Sequence, residues 1–452
     1  MKKFIQKLKE IWSIEELRSK ILNTLLFLLI YRIGTFIILP GIDGSVLMGA
    51  LQKQTEGILG LVNIFAGGAF GRGAIFALGI MPYISASIVI QLLSIAVPYF
   101  QRIQKEGEEG RRKINQYTRV LTIAITAVQA IGYLYNITSK PDNLDALLFH
   151  TNPSVMSEFM FMAVNVCILV AGTMFTMWLG EKITDKGLGN GISLIIMIGI
   201  IDRLPEALGF ELDQRFTKGG LPLFILELIF WLVVIVSTIL LIQGVRKISV
   251  NYAKRVEGNR MTGGARQYIP LKVNAAGVMP IIFAQAIMFL PPTIAQNVEN
   301  PGVFLRSLSD YGSFGYNALF ATLIIAFTYF YTAITVNPNQ MADDMKKNGG
   351  FIPGVKPGKS TSDYIDTIMS RITFPGSLFL AAIAILPSIA MLFGISQSFA
   401  QFYGGTSLLI MVGVVLDTLQ QIESYLLMRH YDGLMKSGRI KGRSGAVSTQ
   451  SI

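Results

Sequence analysis

The chain has 452 residues, of which 52% are hydrophobic and only 15% charged, with a net charge of +11 and a mean hydropathy of +0.51. Soluble domains run nearer about 25% charged, so a string of water-soluble domains is excluded and a polytopic membrane protein is implied. The single Cys167 sits in an apolar run and the two histidines, His150 and His430, lie far apart, which excludes a disulfide framework and leaves no metal-ligand cluster.

In chain order, residues 1–21 come first, with Phe4, Ile5, Leu8, Ile11 and Trp12 at helical spacing among lysines. That pattern suits a short amphipathic helix lying on a membrane face. The apolar run Leu22–Leu39 follows. It exceeds the ~7–15 residues of a signal-peptide core and lacks a small-x-small cleavage site, so it reads as a retained first span. Windows of about 17–25 apolar residues give ten spans in all. They fall near 22–39, 75–98, 117–135, 158–179, 191–208, 221–243, 274–291, 316–336, 374–393 and 406–427. Between the first two spans lies "NIFAGGAFGRG" (63–73), too short to cross a bilayer, too glycine-rich for a robust helix and too apolar for an ordinary exposed loop.

An even number of spans puts both termini on one side. The terminal segments and the loops on their side hold 31 of the 39 Lys and Arg residues, so the positive-inside rule makes that side cytoplasmic. Ten spans divide into five plus five, and an odd half enters the membrane in the opposite sense to its partner, as in an inverted repeat. Span 2 contains "GIMPYI" (79–84) and span 7 "GVMPII" (277–282), the equivalent positions of such a repeat. Proline frees a backbone carbonyl and kinks a helix, so two kinked equivalents are expected to face each other across a pore or seam. The expected units are the N-terminal half 22–215, the C-terminal half 216–427 and a basic tail 428–452.

Two loops on the basic side are long. Residues 244–273 carry seven Lys or Arg against the single Glu257, and "KISVNYAKR" with "QYIPLKV" predicts a two-stranded hairpin. Residues 337–373 carry "GGFIPGVKPGKS". Topology alone needs neither feature, so the surface reads as a dock for an acidic partner, phosphates or anionic lipids. "GVKPGKS" is not a P-loop, because Pro353 stands where the first glycine belongs and no strand precedes it. "KGLGNG" (186–191) follows a span rather than a strand and reads as a flexible loop that lets span 5 begin. No catalytic constellation stands out. Arg32, Glu227 and Asp417 are charges within spans, and intramembrane charge keeps an ion-coupled secondary transporter open as an alternative; a scaffold without conduction is a third class.

The motifs "YRIGTFIILPGID" (31–43), "NIFAGGAFGRGAIFALGIMPYISASIVIQLL" (63–93), "GNGIS" (189–193), "VNYAKR" (250–255), "IPLKVN" (269–274) and "GGTSLLI" (404–410) occur in an order that resembles the SecY/Sec61-alpha family over essentially the whole chain. The resemblance implies an all-α polytopic membrane protein: ten helices as a clamshell of two inverted halves around an hourglass pore that conducts unfolded polypeptides and releases membrane segments sideways. It implies no cofactor and no catalysis, with energy supplied by partners. Residues 63–73 resemble the family's plug, carried by Asn63, Ile64, Phe65, Gly67, Gly68, Phe70, Gly71 and Arg72. The implied pore ring is Ile80, Ile84, Ile192, Ile196, Ile282 and Ile410, aliphatic side chains that expel water and offer ions no substitute for hydration.

Spans 2 and 7 resemble the lateral gate, with Pro82, Ser87, Gln91, Asn274, Pro280 and Gln285 as gate residues. The basic loops resemble a docking site through Arg246, Lys254, Arg255, Arg260, Lys356 and Lys359. Lys356 stands where the family usually has arginine, which keeps the charge but loses bidentate geometry. The implied partners are the small membrane subunits SecE and SecG, the SecA motor ATPase, the ribosome, signal sequences and nascent chains, anionic lipids, SecDF and YidC. The implied location is the bacterial plasma membrane.

Overall fold

The computed structural model describes residues 11–44, 47, 63, 66–139, 147, 157–217, 220–252, 255–257, 260–262, 266–288, 291, 302–310 and 312–436. The N-terminal half contains α1 (Glu15–Gly34), the single turn α2 (Ala69–Arg72), α3 (Met81–Ala96), α4 (Pro98–Lys105), α5 (Glu108–Thr138), α6 (Glu158–Lys186) and α7 (Gly191–Thr217). The C-terminal half contains α8 (Leu221–Gln243), β1 (Val245–Tyr252), β2 (Arg255–Glu257), β3 (Arg260–Thr262), β4 (Arg266–Lys272), α9 (Met279–Met288), α10 (Val303–Ser309) and α11 (Phe314–Thr335). It continues with α12 (Pro338–Lys347), β5 (Gly350–Phe351), α13 (Lys359–Leu392), α14 (Gln397–Ala400) and α15 (Gly405–Lys436).

Each of the ten expected spans is met by a helix, but not all are uninterrupted apolar rods. Among the described residues six helices are long and apolar enough to cross a membrane: α5, α6, α8, α11, α13 and the first part of α15. A seventh would be α3 with α4, which meet at a bend of 102°. The other three depart for visible reasons. Helix α1 opens on Glu15 and Glu16 rather than at Leu22, and stops at Gly34 instead of Leu39. Helix α7 runs past residue 208 to Thr217 and takes in Asp202, Arg203 and Arg215. Helix α9 has only ten residues.

The expected proline kinks are corrected. Pro82 and Pro280 lie in the first turns of α3 and α9, where a missing N–H costs nothing. They start these helices rather than bend them. Ahead of each, the chain turns through a glycine in the left-handed region, Gly79 (φ +54°) and Gly277 (φ +65°), a conformation that disfavours any side chain. The echoed hexapeptides therefore build the same local structure twice.

Each half has its own core. Leu39, Ala77, Leu134, Ile137, Phe161 and Leu169 cluster in the N-terminal half; Ile281, Ala284, Phe320, Ile324, Leu380 and Leu409 cluster in the C-terminal half. Helix α5 packs on α3 and α6, α11 on α9 and α13, and α7 and α8 both pack on α15. Outward faces are apolar: Leu226, Ile229, Leu232, Val233 and Leu240 of α8 are all more than half exposed, an arrangement fit for lipid and not for water. Several buried threonine hydroxyls are satisfied within their own helices, as where Thr122 and Thr126 donate to the carbonyls of Thr118 and Thr122 at 2.7 and 2.6 Å. Ile14 and Leu17 pack with Ile422, Tyr425 and Leu426, so the start of α1 and the end of α15 share one face.

On the loop side the expected two-stranded hairpin becomes a three-stranded sheet of order β4-β1-β5. Strand β1 pairs antiparallel with β4 through Val245↔Lys272 to Asn251↔Arg266, and β5 from the second long loop adds to it at Asn251↔Phe351. Ile248, Val250 and Leu271 pack with Met345, Ile352, Ile365 and Met369 into a separate small core. The second loop is thus mostly ordered helix: α12, the β5 strand, and the first turns of α13, which begins at Lys359 rather than near 374.

Candidate functional site

A third apolar cluster lies where the halves meet. It contains Ile80, Ile196 and Ile410 as buried members, with Ile84, Ile192 and Ile282 packed against it. All six isoleucines singled out in the sequence therefore converge, from α3, α7, α9 and α15. Ile84 donates its N–H to the Ile80 carbonyl at 3.1 Å, which sets the two side chains one turn apart on one helical face. Ile192 and Ile196 repeat that spacing on α7. The six isoleucine side chains offer no polar group to anything passing between them.

Helix α7 is aimed by its first residues. Asn190 Oδ1 accepts from the N–H groups of Ile192 and Ser193 at 3.1 and 3.3 Å, an N-cap the sequence reading did not identify. Loop 187–190 is tied down rather than flexible. Leu188 N–H donates to Thr24 Oγ1 at 3.0 Å, and Gly189 N–H donates to Gln421 Oε1 at 2.8 Å. The loop thereby joins α1 of one half to α15 of the other.

Segment 63–73 seats beside this cluster. Ile64 and Phe65 lie outside the described residues. The rest is a tight turn with only α2 as helix, closed where Asn63 Oδ1 accepts from Gly71 N–H at 2.9 Å. The backbone of Gly67 approaches α7 so closely that a Cβ there would lie 3.1 Å from the Gly199 Cα. A Cβ on Gly79, the residue before Ile80, would sit 3.6 Å from the Ala66 Cα. The segment thus touches α7 and the entry to α3, within a turn of the isoleucine cluster. Tyr133 Oη donates to the Phe70 carbonyl at 2.7 Å, and the two rings pack at 4.6 Å. The Arg72 guanidinium stacks 4.4 Å from the Phe36 ring centre.

The gate residues are less convergent. Pro82 and Pro280 are buried. Gln91 donates to Ser87 of its own helix at 3.2 Å, and Gln285 accepts from Thr406 of α15 at 2.6 Å, so neither reaches across. Asn274 is buried with its Oδ1 unpartnered. Among the described residues no hydrogen bond or ion pair joins α3 to α9. Of the docking residues, Arg246, Lys356 and Lys359 are exposed, Arg255 and Arg260 belong to the β2–β3 hairpin, and Lys254 lies outside the described residues. Strand β5 brings the two basic loops into one surface.

Of the three charges placed within spans, two are paired, one with a residue inside the expected span 191–208 and one with a residue between spans. Arg32 pairs with Asp202 of α7. Glu227 accepts from Arg215 at 2.6 Å, and Arg215 also reaches Glu211 at 3.0 Å. Glu211 in turn accepts from Ser396 N–H at 2.9 Å. Asp417 is exposed. Among the described residues no group of three or more His, Cys, Asp or Glu could hold a metal.

Two helical halves with separate cores, meeting at one shared apolar cluster, define a channel-type polytopic membrane protein. The sequence profile of the SecY family matches residues 74–419. The SecY translocase subunit of Halalkalibacterium halodurans is 46% identical, covering 95% of this chain and 99% of that protein. The chain belongs to the SecY family. Two solved structures share its fold. A protein-conducting channel is 16% identical with a TM-score of 0.55, covering 90% of this chain and 92% of its own. Sec61 in a canine ribosome-channel complex from the endoplasmic reticulum is 15% identical with a TM-score of 0.54 and the same coverage. The solute-transporter alternative finds no support in these relationships.

Proposed function

We infer that this chain is the protein-conducting subunit of a translocase, passing unfolded polypeptides through the isoleucine constriction and membrane segments out between α3 and α9. The observation that carries this reading is the convergence of six aliphatic side chains from both halves on one cluster, with a compact apolar segment lodged against it. Such a ring excludes ions and water yet holds no passing sequence by its polar groups. Residues 63–73 act as the plug, and Ser87, Gln91, Asn274 and Gln285 line the route to lipid. The chain performs no catalysis; a motor ATPase, the ribosome or the proton motive force supplies the energy.

The two basic loops, joined through β1 and β5, form the dock for the ribosome and the motor. The canine neighbour's ribosome complex and the exposure of Arg246, Lys356 and Lys359 support that assignment. With 31 of 39 Lys and Arg on the side of the termini, that side faces the cytoplasm and the membrane is the bacterial plasma membrane. SecE and SecG complete the channel. The test is site-specific crosslinking of a stalled translocating chain to cysteines at Ile84 and Ile282. Adducts at both positions are expected, and adducts confined to the outer faces of α5 or α8 would overturn the reading.

A further inference from the structure

Among the groups that hold the plug segment, one side chain does so in a manner the segment's own sequence does not disclose. The Arg32 guanidinium uses its two arms differently. Nη1 donates to the Gly67 carbonyl at 3.2 Å and reaches Thr35 Oγ1 at 3.4 Å, while Nη2 pairs with Asp202 of α7. Thr35 Oγ1 donates back to the Arg32 carbonyl at 2.7 Å, and the guanidinium lies 4.7 Å from the Phe36 ring centre. Both members of the ion pair are about one-quarter exposed. Gly67 has φ +60°, and a Cβ there would lie 3.5 Å from Arg32 Nη1, so the carbonyl is presented to the arginine by a turn that only glycine adopts without strain.

The other partners of the segment share one property. Phe70 is held by Tyr133 of α5, Gly73 accepts from Leu39 N–H at 2.8 Å, and Gly67 and Gly68 press on Gly199 and Arg203 of α7. Among the described residues, every hydrogen bond leaving 66–73 ends in the N-terminal half. Parting the halves therefore breaks none of these bonds.

We propose that Arg32 and Asp202 form a latch that fixes the plug to the N-terminal half, so that plug release is a separate step from opening of the gate. This rests on the reading of 63–73 as a channel plug. Asp202 is the positioning residue: it holds one arm of the guanidinium so that the other points at Gly67. A lysine at position 32 keeps the charge but has no fork with which to engage both partners.

The test uses the full-length channel, purified with its small subunits and reconstituted in liposomes, with three readouts: resting anion efflux, preprotein translocation and thermal stability. Asp202→Asn and Arg32→Lys are expected to raise resting efflux roughly tenfold, the effect of losing one charge-assisted hydrogen bond on a two-state equilibrium. Asp202→Glu should restore the seal, and the Arg32→Lys/Asp202→Asn double variant should leak no more than either single. Thermal stability should change little, which separates a latch from general support. Wild-type efflux in Asp202→Asn and Arg32→Lys overturns the latch. So does leakage that follows loss of stability and is not rescued by Asp202→Glu. If the wild type itself translocates no preprotein, the channel reading fails instead, and the two failures are distinguishable.

Discussion

Ile410 gives the sharpest test of the constriction. It is 4% exposed within the central cluster, and a buried isoleucine side chain contributes ~1.5–3 kcal/mol by its removal from water. Ile410→Ser deletes most of that side chain, and because the cluster joins the halves, the loss falls on the closed conformer. In the proposed open conformer the same position would face the pore water, and a serine there would lose little. A differential of about 2 kcal/mol shifts the open-to-closed ratio roughly thirtyfold. Single-channel recording in planar bilayers would read this as a proportionate rise in resting open probability. Val415→Ser on the same helix, 41% exposed on its outer face, serves as the control and should leave it unchanged. Equal behaviour of the two variants would refute the claim that this cluster is the seal.

Charge reversal at Arg255 and Arg260 together should weaken co-sedimentation with ribosomes or the motor while the protein still inserts and purifies normally, because both residues sit on the loop-side β2–β3 hairpin, away from the helical cores; undiminished binding would move the dock elsewhere. Arg215→Ala would strand the fully buried Glu211 and the 5% exposed Glu227, so a loss of about 3–5 kcal/mol in stability is expected, visible as a lower Tm in detergent. Adding Glu211→Gln and Glu227→Gln should recover most of it. Asn190→Ala removes the cap of α7 and should cost about 1 kcal/mol, whereas Asn190→Asp should be nearly neutral in a thermal melt.

The ten spans were legible because a bilayer demands long apolar windows, and the repeat was legible because Gly79–Ile84 and Gly277–Ile282 use the same residues for the same turn. The six isoleucines were identified through family resemblance; hydropathy alone gives no reason to choose Ile196 over Ile195. Span ends were the weakest point. A hydropathy window sees only the lipid-crossing part of a helix, so the polar turns of α13 from Lys359 and of α7 to Thr217 read as loop. That is why Arg215 was counted with the loops; Arg32 was left without Asp202 because the two lie 170 residues apart and no local spacing signals the pair. Strand β5, two residues long, carries no periodic signal; it exists because the core around Met345 and Ile352 brings it to β1.

Among the described residues the bonds between the halves are unevenly distributed, and that asymmetry bears on the proposed lateral exit. On the α7 side the ties are polar and directional: Gly189 to Gln421, Ser396 to Glu211, and Arg215 both to Glu227 and to the Gly394 carbonyl at 2.8 Å. Lys20 of α1 adds a bond to Tyr425 of α15. In a water-poor setting such groups have no replacement partners, so separating them carries the full desolvation cost. Between α3 and α9 the described residues show no hydrogen bond or ion pair, and Ile84, Val278 and Ile282 pack against the shared apolar cluster. Apolar contact is non-directional, and lipid tails or an apolar helix can substitute for it at nearly equal free energy. An incoming hydrophobic segment can therefore replace what it displaces along α3 and α9, while nothing it carries can replace the ties at α7. The proposed lateral exit between α3 and α9 therefore falls on the edge whose contacts a hydrophobic segment can replace, and the α7 edge, with its polar ties, is the one proposed to stay closed.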